Sequence, residues 1–426
     1  MVAYESLKVG RSTLALCPMP RVESVAVGLW FGVGSLMEPR GLHGGAHFLE
    51  HLLFKGTRKR NALEISRAIE SRGGDLNAFT GEEMTCYYAR LAADELELAL
   101  EVLFDMLWSS TFPREEVERE RGVILEELRM YEDQPASLVM ERLNQALWPE
   151  YGIGRPITGT PESVAGMRRA GLMEFWRRHY APESLVVSVA GGVERQRVRA
   201  LLMKYLRTPR RYAGEEVPPY RPLTVNKIAL APVSRPVQQC HVALGVRAYP
   251  KADRRRYALK LLSVMLGENM SSRLFQTVRE RHGLAYSIQS TTAHFRETGA
   301  FYVQAGVDTA QLGKALALTA RELRKMAALT VSARELRQAK DYLTGQIKLH
   351  LESTSNRMMW MGESLIGLGR MVQPGELLDE LARVTAAEVR AVARELFRPG
   401  RMALSVVGPE VDQKLLSEAG RVFYLD

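Results

Sequence analysis

The chain has 426 residues, more than one ordinary core uses, so two or more domains are expected. Hydrophobic residues make up 46% and charged residues 25%, as in soluble globular proteins, and no apolar run reaches the roughly 18 residues of a membrane span. The net charge of +9 rests on 58 basic residues, 46 Arg and 12 Lys, spread without a block, which argues against nucleic acid as a partner.

The N-terminal residues carry no apolar segment of signal-peptide length and no Arg/Ser-rich transit helix, so a cytoplasmic location is expected. Three cysteines, Cys17, Cys86 and Cys240, lie far apart with no CxxC pair. They read as buried free thiols rather than a disulfide framework or a cysteine zinc site.

Along the chain, an apolar β-rich run at 25–33 comes first, then a helical segment around 45–55. A pair of strands with turn signals follows from Gly73-Gly74 to Arg90, then amphipathic helices at 93–109 and 115–132, then a helix and a strand ending at Gly191. A Pro-rich stretch at 209–236, with Pro218, Pro219, Pro222 and Pro232, reads as a linker. Beyond it the same order returns: a β-run at 240–246, a helical segment at 256–281, strands between Ala285 and Val307, and helices at 309–327 and 332–353. Residues 182–191 match 399–408 at an offset of 217. Ile366-Gly-Leu-Gly-Arg370 reads as a helix break, because no strand–Gly–helix unit with Lys-Ser/Thr surrounds it.

Paired strands grouped with runs of helices predict an α+β fold rather than a doubly wound sheet. The simplest arrangement is a duplication: domains at 1–208 and 237–426, each an antiparallel-rich mixed sheet layered with helices, together enclosing a cavity.

The chemistry lies in Gly44-Gly-Ala-His47-Phe-Leu-Glu50-His51-Leu-Leu-Phe54. On a helix, His47 and His51 share a face and can turn imidazole nitrogens toward one ion, with Glu50 close to the same face. Three polar groups in so apolar a helix are costly without a partner. Catalytic zinc takes three protein ligands, so a third is required. The helix 115–128 is rich in carboxylates; Glu120 and Glu127 share a face two turns apart, but periodicity does not choose between Glu126 and Glu127.

His47 to Thr57, with Glu118-Arg-Glu120-Arg-Gly-Val-Ile-Leu-Glu-Glu127, resembles the pitrilysin-type inverzincin metallopeptidases with their inverted His-x-x-Glu-His motif, in particular bacterial relatives of the mitochondrial processing peptidase β subunit. The resemblance runs over nearly the whole chain. It implies a zinc endopeptidase acting on short or unfolded polypeptides, with His47, His51 and Glu127 as zinc ligands and Glu50 as general base. It selects Glu127 over Glu126 by its separation from His51, and makes Glu120 the carboxylate that orients a ligand histidine.

It also implies that Asn77 and Ala78, in the segment 76–80, belong to an edge strand to which peptide adds, and that Arg279 and Tyr286 hold substrate. Glu82, Glu83 and Asp133 either favour basic peptides or are ordinary surface charges. Shifting the motif by 217 lands on Val264, Gly267 and Glu268, and Glu127 shifted by 219 lands on Gln346, so one zinc per chain is expected. Both residue sets in one chain favour a self-sufficient homodimer over a heterodimer with a paralogue. The competing readings are a non-catalytic assembly subunit, which should have lost a ligand, and a presequence peptidase.

Overall fold

A strand covered on both faces needs apolar side chains at nearly every position, and 24–31 is such a run: seven of its eight residues are buried. In the computed structural model, which describes residues 4–206, 219–221 and 227–424, that run is central to the first of two sheets. The first sheet comprises β1 (Glu5–Val9), β2 (Ser12–Pro18), β3 (Ser24–Phe31), β4 (Asp75–Thr80), β5 (Thr85–Ala92) and β6 (Leu185–Gly191), in the order β1-β2-β6-β3-β5-β4. The second comprises β7 (Ala229–Ser234), β8 (Cys240–Ala248), β9 (Ala285–His294), β10 (Gly299–Val307) and β11 (Met402–Gly408), in the order β7-β11-β8-β10-β9.

Each sheet holds one parallel pair, β2 with β6 and β7 with β11, and every other pairing is antiparallel. The α+β duplication expected from the sequence is therefore the architecture found, with β6 and β11 at the offset of 217 and β1 as an addition to the first sheet.

The chain divides into two compact units, but not at one cut. The first unit runs to Leu128, resumes at Pro156 and takes in Lys348–Pro374; the second holds Arg129–Arg155, continues from Pro219 to Ile347 and resumes at Gly375. The split into 1–208 and 237–426 thus misses an exchange. Helix Pro135–Leu147 packs on β8 and β11 of the second sheet, and helix Thr354–Leu368 packs on β3 and β6 of the first.

Size complementarity seats each exchanged helix. In the first unit Trp30, fully buried and donating to Ser188 Oγ at 2.7 Å, fills the space above Gly362, where any side chain would overlap its ring. In the second unit the bulk sits on the helix, and a Cβ on Gly245 would come within 2.7 Å of Leu147.

Three further expectations change. Within the presumed linker, 209–218 and 222–226 lie outside the described residues, but 229–234 is strand β7; as the sheet's edge it tolerates Pro232 without losing a ladder bond. The helical segment 256–281 is interrupted: an α-helix spans Arg255–Gly267 and a π-helical turn spans Phe275–Glu280. The 366–370 glycines end a helix rather than break one, with Gly369 at φ 67° as its left-handed cap. Cys17, Cys86 and Cys240 are free and buried, as expected.

Candidate metal centre

Helix Gly45–Leu53 owes its position to its apolar face, since Phe48, Leu49, Leu52 and Leu53 are completely buried, and to its first turn. Gly44 precedes it at φ 87°, where a Cβ would meet Thr158 O at 2.5 Å, so only glycine fits. No residue within the helix supplies a first-turn acceptor. Buried Glu38 does so instead, its carboxylate accepting from the N–H groups of Gly44 and Ala46 at 2.9 Å each, where the helix dipole also favours negative charge. The Ser163 hydroxyl ties down the preceding turn by donating to His43 O at 2.8 Å.

One turn apart on this helix, the His47 and His51 rings lie 4.7 Å between centroids. Helix Arg114–Glu132 brings Glu127 to them: Glu127 Oε2 is 3.7 Å from His47 Nε2 and 3.6 Å from His51 Nε2. One ligand atom from each residue lies within 4.8 Å of the others, and this is the one such group of three among the described residues. Glu126 is exposed and outside the cluster.

The donor set fits zinc. The Nε2–Oε2 separations are too long for hydrogen bonds and near the edge of a tetrahedron with bonds of about 2.0–2.2 Å. His47 is buried, and burial first, then His51, pushes its pKa down to about 4, so the imidazole is the neutral, ligating form. Its Nδ1 is buried with no hydrogen-bond partner, at a cost of about 1–3 kcal/mol.

His51 is oriented from behind. Its Nδ1 lies 3.1 Å from Glu120 Oε2, while Lys55 Nζ is 2.8 Å from Oε1 of the same carboxylate. Glu120 is only 2% exposed; burial alone would raise its pKa, but the His51 and Lys55 hydrogen bonds outweigh it and hold the carboxyl below its ordinary value. An acceptor fixed on Nδ1 sets the tautomer that leaves Nε2 free for a metal.

Glu50 lies on the same helix with one oxygen accepting from the Thr80 hydroxyl. Burial raises its pKa, and nearby Glu127 adds to the rise against the opposing Thr80 and His51. A carboxylate so displaced toward neutrality is a better proton acceptor near pH 7.

The remaining candidates fall in two places. Asn77 and Ala78 are on β4, the sheet edge, where Asn77 Oδ1 accepts from Ala78 N–H at 2.8 Å. Arg279 and Tyr286 come together in the second unit: the guanidinium is 5.6 Å from the Tyr286 ring centroid and 4.7 Å from that of Phe275, and Tyr286 is 83% exposed. Of the ambiguous acids, Glu83 is buried and Asp133 exposed. At the duplicated position Val264 and Gly267 carry no donor side chain, and Glu268 is paired with Lys260 at 2.7 Å. Reasoning from sequence missed the roles of Glu38, Lys55 and Thr80, although Lys55 lies within the motif His47 to Thr57 and Thr80 ends the segment 76–80.

Two units of one fold, with a His–His–Glu cluster on the first, define a metallopeptidase architecture. Residues 14–161 match the family Insulinase (Peptidase family M16), and residues 167–343 match the Peptidase M16 inactive domain. An uncharacterized zinc protease of Streptomyces coelicolor is 39% identical over 93% of this chain and 87% of its own length. Another, from Bacillus subtilis, is 34% identical over 92% and 94%. The chain belongs to the M16 peptidase family. A protease structure from Helicobacter pylori shares the fold, with a TM-score of 0.89 at 23% identity over 96% of this chain and all of that one. No helix among the described residues is long and apolar enough to cross a membrane.

Proposed function

We propose that this protein is a zinc endopeptidase with one active site per chain, acting on short or unfolded polypeptides. The observation that carries this reading is the meeting of His47, His51 and Glu127 beside Glu50, whose pKa is raised. Zinc held there would supply Lewis acidity, polarising a carbonyl and bringing a water's pKa to about 7.

The chain's own residues do the rest. Glu50 accepts a proton from the attacking water as the water oxygen adds to the scissile carbonyl carbon. It returns that proton to the leaving amine nitrogen as the C–N bond breaks. Edge strand β4 has no strand partner on one side, where an extended peptide would pair; Asn77 and Ala78 lie on that strand, with the Ala78 N–H donating to Asn77 Oδ1, and pairing of this kind would favour unfolded chains. Arg279 and Tyr286 are assigned to substrate binding from the second unit. A self-sufficient homodimer in the bacterial cytoplasm completes the reading.

The test is metal analysis and cleavage of a mixture of unstructured peptides by the purified protein beside two variants. Glu50→Gln is expected to keep zinc and lose cleavage by at least about a hundredfold, the smallest effect ordinarily ascribed to a general base. Glu127→Gln is expected to lose tight zinc binding. Equal cleavage by Glu50→Gln removes Glu50 from the mechanism, and tight metal retained by Glu127→Gln means a different third ligand.

A further inference from the structure

The hydrogen bond from Thr80 to Glu50 joins two elements that have separate tasks in the proposed reaction. Glu50 projects from the helix Gly45–Leu53, whereas Thr80 is the last residue of the edge strand β4. The junction is stiff. Gly81 N–H donates to Met84 O at 2.8 Å, closing the β4–β5 turn, and the turn's carbonyls at Gly81 and Glu82 accept from Ser35 and Leu36 at 3.2 and 2.9 Å. Gly34 lies so close to this turn that a side chain there would overlap the Gly81 carbonyl. A few residues on, Glu38 caps the helix that carries Glu50. The end of β4, the capping segment and the base's own helix are thus one hydrogen-bonded frame, and Thr80 is the side chain in it that reaches the base.

We infer that Thr80 is a positioning residue for Glu50, which sets the orientation of the general base from the strand on which the peptide docks. A carboxylate on a three-torsion side chain has many orientations. A donor fixed on one oxygen removes most of them and leaves the other oxygen for the water proton. Because the donor belongs to β4, the base is aligned to the strand that fixes the peptide backbone, not only to the metal helix. Proximity catalysis depends on such alignment, since a displacement of about 1 Å can cost about a hundredfold in rate. This inference rests on the peptidase reading above.

Thr80→Val keeps the β-branched shape and removes the donor, while Thr80→Ser keeps the donor. With the full-length zinc-loaded protein and a ten-residue unstructured peptide, Thr80→Val is expected to lower kcat by about 10- to 100-fold. KM and zinc content should stay at the parent's values, and Thr80→Ser should restore most of kcat. Parental kcat in Thr80→Val, a Thr80→Ser enzyme as slow as Thr80→Val, or a loss carried by KM alone would overturn the assignment.

Crystal structures of the zinc-loaded parent and Thr80→Val separate this inference from the peptidase reading. Glu50 leaves its position in the variant if Thr80 holds it, whatever the parent cleaves, and an unmoved Glu50 overturns the inference. Should Thr80→Val fail to fold, Thr80→Ala gives the same two readouts.

Discussion

The helix Gly45–Leu53 of the first unit and the end of helix Arg255–Gly267 in the second are counterparts at the offset of 217, yet only one can hold a metal. Where the first places His47, Glu50 and His51, the second places Val264, Gly267 and Glu268. The second helix also lies closer to its sheet: a Cβ on Gly267 would come within 2.6 Å of Ser290 N on β9, and Ser263 Oγ lies 3.2 Å from Ser290 Oγ. Space that in the first unit takes a carboxylate and its threonine is closed in the second by backbone contact. Among the described residues one fold therefore carries a metal-binding donor set in one copy and none in the other, and the difference is made by few residues and the room beside them.

That contrast can be sharpened from the metal side first. Glu120→Gln leaves the three ligands in place but gives up the charged acceptor behind His51, and zinc affinity measured by chelator competition is expected to fall about 10- to 100-fold. An unchanged affinity would mean that the Glu120 carboxylate does not orient the ligand.

The second unit offers the converse test. Gly267→Ala forces a methyl against the β9 backbone and is expected to lower unfolding free energy in urea by about 1–3 kcal/mol, with the slope of the transition unchanged. A neutral effect would show that the closure is soft and that the missing donors alone keep this copy inactive.

The smallest expected effect is on pH dependence. His179 in the first unit corresponds to the fully buried Leu396 in the second. Burial, with a contribution from Arg178, lowers the His179 pKa from 6.5 to about 4. Above pH 6.5 the ring is neutral folded or unfolded. As pH falls from 6.5 toward 4 the unfolded chain takes up a proton that the folded chain refuses, so stability declines through that window. His179→Leu is expected to flatten this acid decline in thermal melts, and an unaltered slope would assign the decline to other groups.

Much of this was legible from residue order. The 3.6-residue period placed both histidines and Glu50 on one helix, the recurrence at 217 gave the duplication, and the apolar run at 25–33 gave a strand, though not its central place in the sheet. Periodicity left Glu126 and Glu127 open; the family resemblance chose Glu127, the residue that the folded chain brings to the histidines. Glu38 and Thr80 left no pattern to read, because each acts through one long-range hydrogen bond on another element. The helices at 135–147 and 354–368 were not among those read from the sequence, and amphipathic spacing would not have placed them. It says which side is apolar, not which sheet receives it, so the exchange was invisible. The strand at 229–234 was hidden by Pro232, since proline counts against a strand unless that strand is known to lie at an edge.

The traded helices also set a timetable for synthesis. The face of the first sheet that holds Trp30 is completed by a segment reaching to Leu368, so a ribosome must translate as far as that residue before the first unit is whole. A truncated nascent product would carry the histidines yet lack the packing that secures their scaffold. Maturation of the first unit therefore awaits residues translated about 300 positions after its histidines.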